Sequence, residues 1–199
     1  MEEIKQGNGL KVGYSDKIND GSFKKYIKNS NRWSMIFSLV LAAAALIGFF
    51  IYGQTSSDME MLEAMKIGVI IASMFLLIAL FLVVSRSRSK TFDGIVIDKK
   101  IERKYRTKQY GEQRYREQYI KYTVFIKENN GKKHEISSED DDTVYEYYKV
   151  GDKVRHHAKL NTYEKYDKTG DTIIFCSACA SLHDITEDVC GRCKCPLLK

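Results

Sequence analysis

Charge is missing from two stretches of this 199-residue chain. No Asp, Glu, Lys or Arg occurs in residues 33–57, and none in residues 67–85. Their cores, residues 33–52 and 67–84, are almost wholly apolar. An α-helix rises 1.5 Å per residue, so roughly 20 residues cross the ~30 Å hydrocarbon layer of a bilayer. Each core is long enough to span, and a short polar stretch separates them, which is the pattern of a transmembrane hairpin. Neither core carries a charged or strongly polar side chain, and transporters and proton relays place ionisable groups at mid-membrane. That absence points to an anchor rather than a conduit. A cleavable signal peptide fits badly, because the first apolar run starts at Trp33 and shows no small-residue cleavage site. Catalytic patterns are absent as well. There is no Ser/His/Asp set, nucleophile elbow, phosphate loop or open zinc spacing, so the chain reads as a non-enzyme.

What charge there is, a net +6, is unevenly placed. Lys24, Lys25, Lys28 and Arg32 precede the first core, and Arg86, Arg88 and Lys90 follow the second. The loop between offers Asp58, Glu60 and Glu63, with Lys66 at its far edge. Positive charge flanking short loops marks the cytosolic side. The expected address is therefore the plasma membrane, multi-pass, with both termini cytosolic and the loop outside. Small residues at one-turn spacing, Ala44 with Gly48 and Gly68 with Ala72, are the expected contact between the two helices.

After the hairpin the pattern changes to short β runs. Residues 92–97 read as a strand, and residues 118–127 alternate with the two-residue period of a second. Asn129, Asn130 and Gly131 mark a turn into a return strand over 133–137. Residues 148–154 feed another strand through about Leu160, and residues 172–175 are expected to close the set. Five short strands predict a small SH3-like or OB-like barrel over residues 86–172. Residues 140–146 read as a helical turn capped by carboxylates. Asp140, Asp141 and Asp142 lack the spaced ligands and glycine of a calcium loop, so capping outweighs cation binding. His156 and His157 are adjacent on a strand and point to opposite faces, which prevents chelation of one ion. They read as one surface and one core histidine.

Residues 103–116 hold Arg103, Lys104, Arg106, Lys108, Arg114 and Arg116 against Glu112 alone, with Tyr105, Tyr110 and Tyr115 interleaved. Such a segment suits anionic lipid headgroups or, less favoured, single-stranded nucleic acid. A solvated hairpin tip is the plainer alternative.

All five cysteines lie from residue 176 onward. Cys176 and Cys179 form one Cys-x-x-Cys pair, and Cys190 and Cys193 a second. Two such pairs satisfy tetrahedral Zn2+, each turn bringing two thiolates to one side of the metal. The tail after residue 172 is too short to fold on apolar burial alone, so metal binding is expected to supply folding free energy. A cytosolic tail keeps its thiols reduced, which favours ligation over disulfides. Four protein ligands leave no open position, so the zinc is structural. Cys195 is surplus and reads as a free thiol. The pattern Phe175-Cys176-x-x-Cys179 with Cys190-x-x-Cys193 resembles the compact zinc-ribbon domain often attached to bacterial membrane proteins. That family usually has glycine after each cysteine turn, where this chain has Ala180 and Lys194, which leaves the turn hydrogen bonds open. More loosely, Gly94-Ile95-Val96, Tyr122–Phe125, Gly131 and Tyr148-x-x-Gly151-Asp152-x-Val154 are similar to an uncharacterised bacterial family of two-span membrane proteins with a small β-domain. That resemblance implies a fold and an address but no activity.

The expected organisation is a membrane-anchored α+β protein. It runs as an N-terminal segment (1–32), a transmembrane hairpin (33–85), a β-barrel-like domain (86–172) and a zinc ribbon (173–199). The expected role is a cytosol-facing scaffold or adaptor with an unidentified protein partner. The alternative is an anionic-lipid or nucleic-acid binding module using residues 103–116. Self-association is an open alternative.

Overall fold

A computed structural model describes residues 12–56 and 59–199. Residues 1–11 of the expected N-terminal segment, and Asp58 of the loop, lie outside the described residues. The chain divides into two compact units, Gly21–Ser89 and the remainder.

The first unit is a helix pair, α1 (Gly21–Thr55) and α2 (Met61–Arg88). Both helices are long and apolar enough to cross a membrane. Each runs beyond its uncharged core, so Lys24, Lys25, Lys28 and Arg32 sit on the first turns of α1 rather than in a separate segment. The interface is built from small residues. On α2, Ala64, Gly68, Ala72 and Ala79 are buried, a row that recurs every one or two turns. A Cβ on Gly68 would lie 2.9 Å from Cβ of Phe49, and one on Gly53 would lie 2.9 Å from Cβ of Ala64. The α1 side of the contact differs from expectation. Ala44 is exposed and a Cβ on Gly48 would meet nothing within 4 Å, while Ala42, Phe49 and Gly53 supply the contact. Periodicity explains the shift. Ala42 and Phe49 are one heptad apart and hold one helix face, whereas Ala44 is rotated away by about 200°. Large apolar side chains point outward instead, among them Phe37, Leu39, Phe81 and Leu82.

The second unit is built on one sheet of five antiparallel strands: β1 (Phe92–Tyr110), β2 (Gln113–Glu128), β3 (Lys133–Glu139), β4 (Lys153–His157) and β5 (Thr162–Lys165). Their order is β3-β2-β1-β4-β5. The end strands do not meet, so the expected barrel is an open sheet. Residues 173–175, expected to close it, form β6 (Ile173–Phe175) and pair with β7 (Leu182–Asp184) in a separate two-stranded sheet. The helical turn α3 (Thr143–Tyr147) follows β3.

The strands run longer than the sequence pattern suggested. β1 and β2 pair from Gly94 with Glu128 to Tyr110 with Gln113, with one bulge between Val96 and Asp98. Gly111 turns the hairpin at φ 60°, a left-handed conformation that L side chains resist. Gly94 is required for another reason, because a Cβ there would lie 2.8 Å from the Lys127 carbonyl oxygen. One sheet face carries the core of Val96, Val124, Ile126, Tyr147, Tyr148 and Val154. Ile173 and Phe175 pack against it, and the Phe175 ring meets Tyr147 edge-on with centroids 5.0 Å apart. The expected division at residue 172 therefore runs through a shared core.

The opposite face is covered by the chain just before α1. Tyr14 packs edge-on against Tyr166 and lies under the Arg155 guanidinium at 4.0 Å. Beneath it sits a buried charge network. Glu164 and Lys168 side chains are each 1% exposed and pair at 3.0 Å. The other Glu164 oxygen meets His157 Nε2 at 2.7 Å, Ser15 N–H donates to Oε1 at 2.7 Å, and Lys168 Nζ donates to the Gly13 carbonyl. Adjacent His156 points to the other face, as strand alternation requires, and stacks on Phe92. The expectation of one surface histidine is corrected, for both are buried. Their two faces are each covered, one by aromatic rings and one by the N-terminal strap.

Two expectations follow. Gly68→Leu forces Phe49 away and is expected to destabilise the helix pair by about 1–3 kcal/mol, whereas Ala44→Leu on the outward face leaves it unchanged. Thermal unfolding in detergent micelles measures both, and equal effects would contradict the interface. The second concerns pH. Burial opposes ionisation of Glu164, but His157, Lys168 and the Ser15 N–H outweigh it and hold its carboxyl below the ordinary value of 4.5. A depressed folded-state value stabilises the fold above the ordinary carboxylate range, and that contribution is lost as pH falls through the folded value. Stability of the β unit should therefore decline on acidification below pH 4.5. Glu164→Gln removes this acid dependence and costs about 3–5 kcal/mol by stranding buried Lys168. Urea unfolding of the full chain across pH tests this.

Candidate metal centre and basic arm

The sulfur atoms of Cys176, Cys179, Cys190 and Cys193 all lie within 4.8 Å of one another. Two turns place them. The Ala180 N–H donates to the Cys176 carbonyl at 2.8 Å, and the Lys194 N–H donates to the Cys190 carbonyl at 3.0 Å. Flanking bonds repeat the pattern, with Cys176 N–H on the Ser181 carbonyl and Cys190 N–H on the Cys195 carbonyl, both 2.9 Å. The halves are thus related by an approximate internal two-fold, and Cys195 occupies the position equivalent to Ser181. Both turns need a left-handed residue after the second cysteine. Ala180 adopts φ 56° and Lys194 φ 62°. The missing glycines therefore leave the hydrogen bonds intact and add backbone strain instead.

The donor set fits a thiophilic ion such as zinc. With Zn–S near 2.3 Å, a tetrahedron has sulfur–sulfur edges of about 3.8 Å. Cys176 to Cys193 is 3.4 Å and Cys179 to Cys190 is 3.6 Å. Both are far from the ~2.05 Å of a disulfide, and all five cysteines are free. Around the sulfurs lies an outer shell that the sequence pattern did not reveal. The Ser181 hydroxyl is 3.0 Å from Cys179 Sγ and 3.3 Å from Cys190 Sγ. His183 Nε2 is 3.2 Å from Cys190 Sγ, while its Nδ1 meets Glu187 at 2.9 Å. Burial raises the Cys190 thiol, but the Ser181 hydroxyl and the Cys193 and Arg192 N–H groups overcome it and hold it at about 5. Such partners orient ligands and spread thiolate charge. Only the pairing of Ser181 and His183 on alternate positions, flanking Leu182, could have signalled this shell. Cys195 is fully buried and outside the cluster. A buried thiol of this kind is inert.

The acidic cluster holds backbone rather than metal. Asp140 Oδ1 accepts the Ile120 N–H, and Asp141 Oδ1 accepts the Thr143 N–H. Asp142, at the cap position itself, makes no side-chain cap bond. The expected carboxylate cap is thus supplied by Asp141, one residue before the cap position.

Residues 103–116 are the free half of the β1/β2 hairpin. β3 joins β2 only from Lys121 to Lys127, and β4 joins β1 only from Phe92 to Ile95. The remainder extends as a two-stranded arm. Comparison with protein families, curated proteins and solved structures finds no match to this chain.

Relief of turn strain is measurable. Ala180→Gly and Lys194→Gly are each expected to stabilise the cysteine tail by up to about 1 kcal/mol, since glycine reaches positive φ without steric cost. A rise in resistance to metal removal by a chelator, followed as thiol release, reports it. A loss in both variants would contradict the assigned turn geometry.

Proposed function

We propose that this protein is a membrane-anchored, cytosol-facing scaffold or adaptor. The helix pair is its anchor, and the β unit with a structural zinc ribbon is its protein-binding head. One observation carries the reading: the most apolar windows of α1 and α2 are only 6% and 17% buried within the protein. Helices whose apolar surface is left uncovered need lipid, because water would penalise that area at roughly 25 cal/mol per Å2. The charge pattern supports the orientation. Arg86 donates to Asn31 Oδ1 at 2.8 Å and to the Ser30 hydroxyl, so the basic flanks of both helices share one end of the hairpin. By the positive-inside rule that end is cytosolic.

In the head, Cys176, Cys179, Cys190 and Cys193 hold Zn2+ in a closed four-sulfur site. Its part is to stabilise the fold, and no reaction is assigned to it. The open edge of β3 offers unpaired backbone to which a partner strand can add. A second reading, binding of an anionic surface by the arm, is favoured by the way strand register sorts its charges.

The anchor and orientation are tested together. The chain should resist alkaline extraction from membranes. An impermeant maleimide should label Glu60→Cys in intact cells while a C-terminal epitope stays protease-protected. Dispersal without detergent would remove the anchor, and the reverse labelling would invert the topology. A photo-reactive residue at Glu135, on the β3 edge, should yield one discrete protein adduct in native membranes. Adducts to lipid alone would remove the adaptor role.

A further inference from the structure

The arm's basic residues look evenly mixed with tyrosines in the sequence, but antiparallel pairing separates them. Residues directly opposite one another share a face, and successive residues alternate faces. One face therefore gathers Lys104, Arg106 and Lys108 with Tyr115, Glu117 and Tyr119. Each of these three cations pairs with a carboxylate. Glu102 pairs with Lys100 at 3.0 Å and Lys104 at 3.4 Å, and Glu117 pairs with Arg106 at 2.6 Å and Lys108 at 2.7 Å. Arg106 also reaches Glu139 at 2.8 Å.

The other face gathers Ile101, Arg103, Tyr105 and Thr107 on β1 with Arg114 and Arg116 on β2. It holds no carboxylate. Among the described residues, the side chains of Arg103, Arg114 and Arg116 make no ion pair or hydrogen bond, while their backbones belong to the ladder. All of these side chains are exposed, Ile101 at 54% and Tyr105 at 66%. Three unpaired guanidinium forks, an isoleucine and a tyrosine thus lie on one strip roughly 20 Å long, from the ~3.3 Å rise of a strand.

We infer that this acid-free face is a docking surface for the anionic phospholipid headgroups of the bilayer. The inference rests on the membrane anchoring proposed above. Charge complementarity selects an anion, because an arginine without an internal partner is free to fork onto phosphate. Two observations favour lipid over nucleic acid. Binding single strands calls for several free aromatic rings on the basic face, yet register sends Tyr110, Tyr115 and Tyr119 to the other side and leaves Tyr105 on the strip, with Tyr122, opposite Ile101, already packed against Tyr145. The same strip ends in Ile101, an aliphatic side chain suited to the headgroup boundary rather than to a base stack. Covalent connection adds to this. α2 ends at Arg88 and β1 begins at Phe92, so three residues tether the arm's strand to the proposed anchor, which raises the effective concentration of headgroups it can meet.

The test uses the full chain in nanodiscs of phosphatidylcholine, with or without about 30% phosphatidylglycerol to supply surface charge. A photo-reactive residue is placed at Thr107 on the acid-free face, at Tyr115 on the neutralised face, or at Phe81 on α2. Thr107 should give lipid adducts in anionic discs and few in neutral ones, with Tyr115 giving few in both. Loss of surface attraction at roughly fivefold per arginine should cut the Thr107 adduct more than tenfold in the triple variant Arg103→Gln, Arg114→Gln, Arg116→Gln. The Phe81 adduct should stay constant throughout. Equal Thr107 adducts in neutral and anionic discs, or an unaffected triple variant, would overturn the inference while leaving the anchor standing. Thr107 adducts to RNA or protein in native membranes would overturn it in favour of those partners. Loss of the Phe81 adduct would instead bring down the anchoring itself.

Discussion

The ladder between β1 and β2 is the element on which most of the remaining structure depends. Sixteen rungs, broken by a single bulge, carry two different tasks along one pair of strands. At the base, Val96, Val124 and Ile126 fill the core, and β3 and β4 attach on either side. Toward the tip the flanking strands stop, and the same hydrogen bonds hold an arm with no core at all. A two-stranded ribbon alone is marginal in water. Here it is rooted in a sheet, and salt bridges across one of its faces add to its support.

Buried polarity is handled in two ways in the β unit. Glu164 pairs with Lys168, hydrogen-bonds His157 and takes a backbone N–H from Ser15, so both carboxylate oxygens have partners. An isolated carboxylate at that depth would instead take up a proton. Nearby, Lys165 is 3% exposed and is answered by Asp171 at 2.9 Å and Asp152 at 3.5 Å. Four thiols gathered in a small tail pose the same problem. Hydrogen bonds from Ser181, His183 and backbone N–H groups offset part of the thiolate charge, and a bound cation would offset the rest. Because Phe175 leans on Tyr147, the cysteine tail and the sheet share one core. Whatever orders the tail also supports the sheet.

The cysteine pairs were readable because ligand spacing is local. Two residues between thiols make one turn whatever surrounds it. The apolar helices were readable for a similar reason, since a run of uncharged residues needs no partner to be recognised. Their interface was read only in part. Small residues at one-turn spacing occur on several faces of α1, and only packing selects Ala42, Phe49 and Gly53 over Ala44 and Gly48. Alternation identifies a strand but not its neighbour, so the strand expected over 172–175 pairs with β7 instead of closing the larger sheet. Glu164 and Lys168 gave no signal, since a charged pair four residues apart looks like solvated surface until something covers it.

Composition by itself therefore determined that two helices are long and apolar enough to cross a membrane, that the chain after them is largely β, and that four cysteines are spaced so that they could hold one metal ion. These follow from properties of single residues and near neighbours. Tertiary structure alone decided which arginines are neutralised, which histidines are buried, and whether the sheet closes. Those outcomes depend on register and on contacts between residues far apart in sequence. A two-residue alternation moves a side chain across a sheet, and no local pattern states what it will find on the other side.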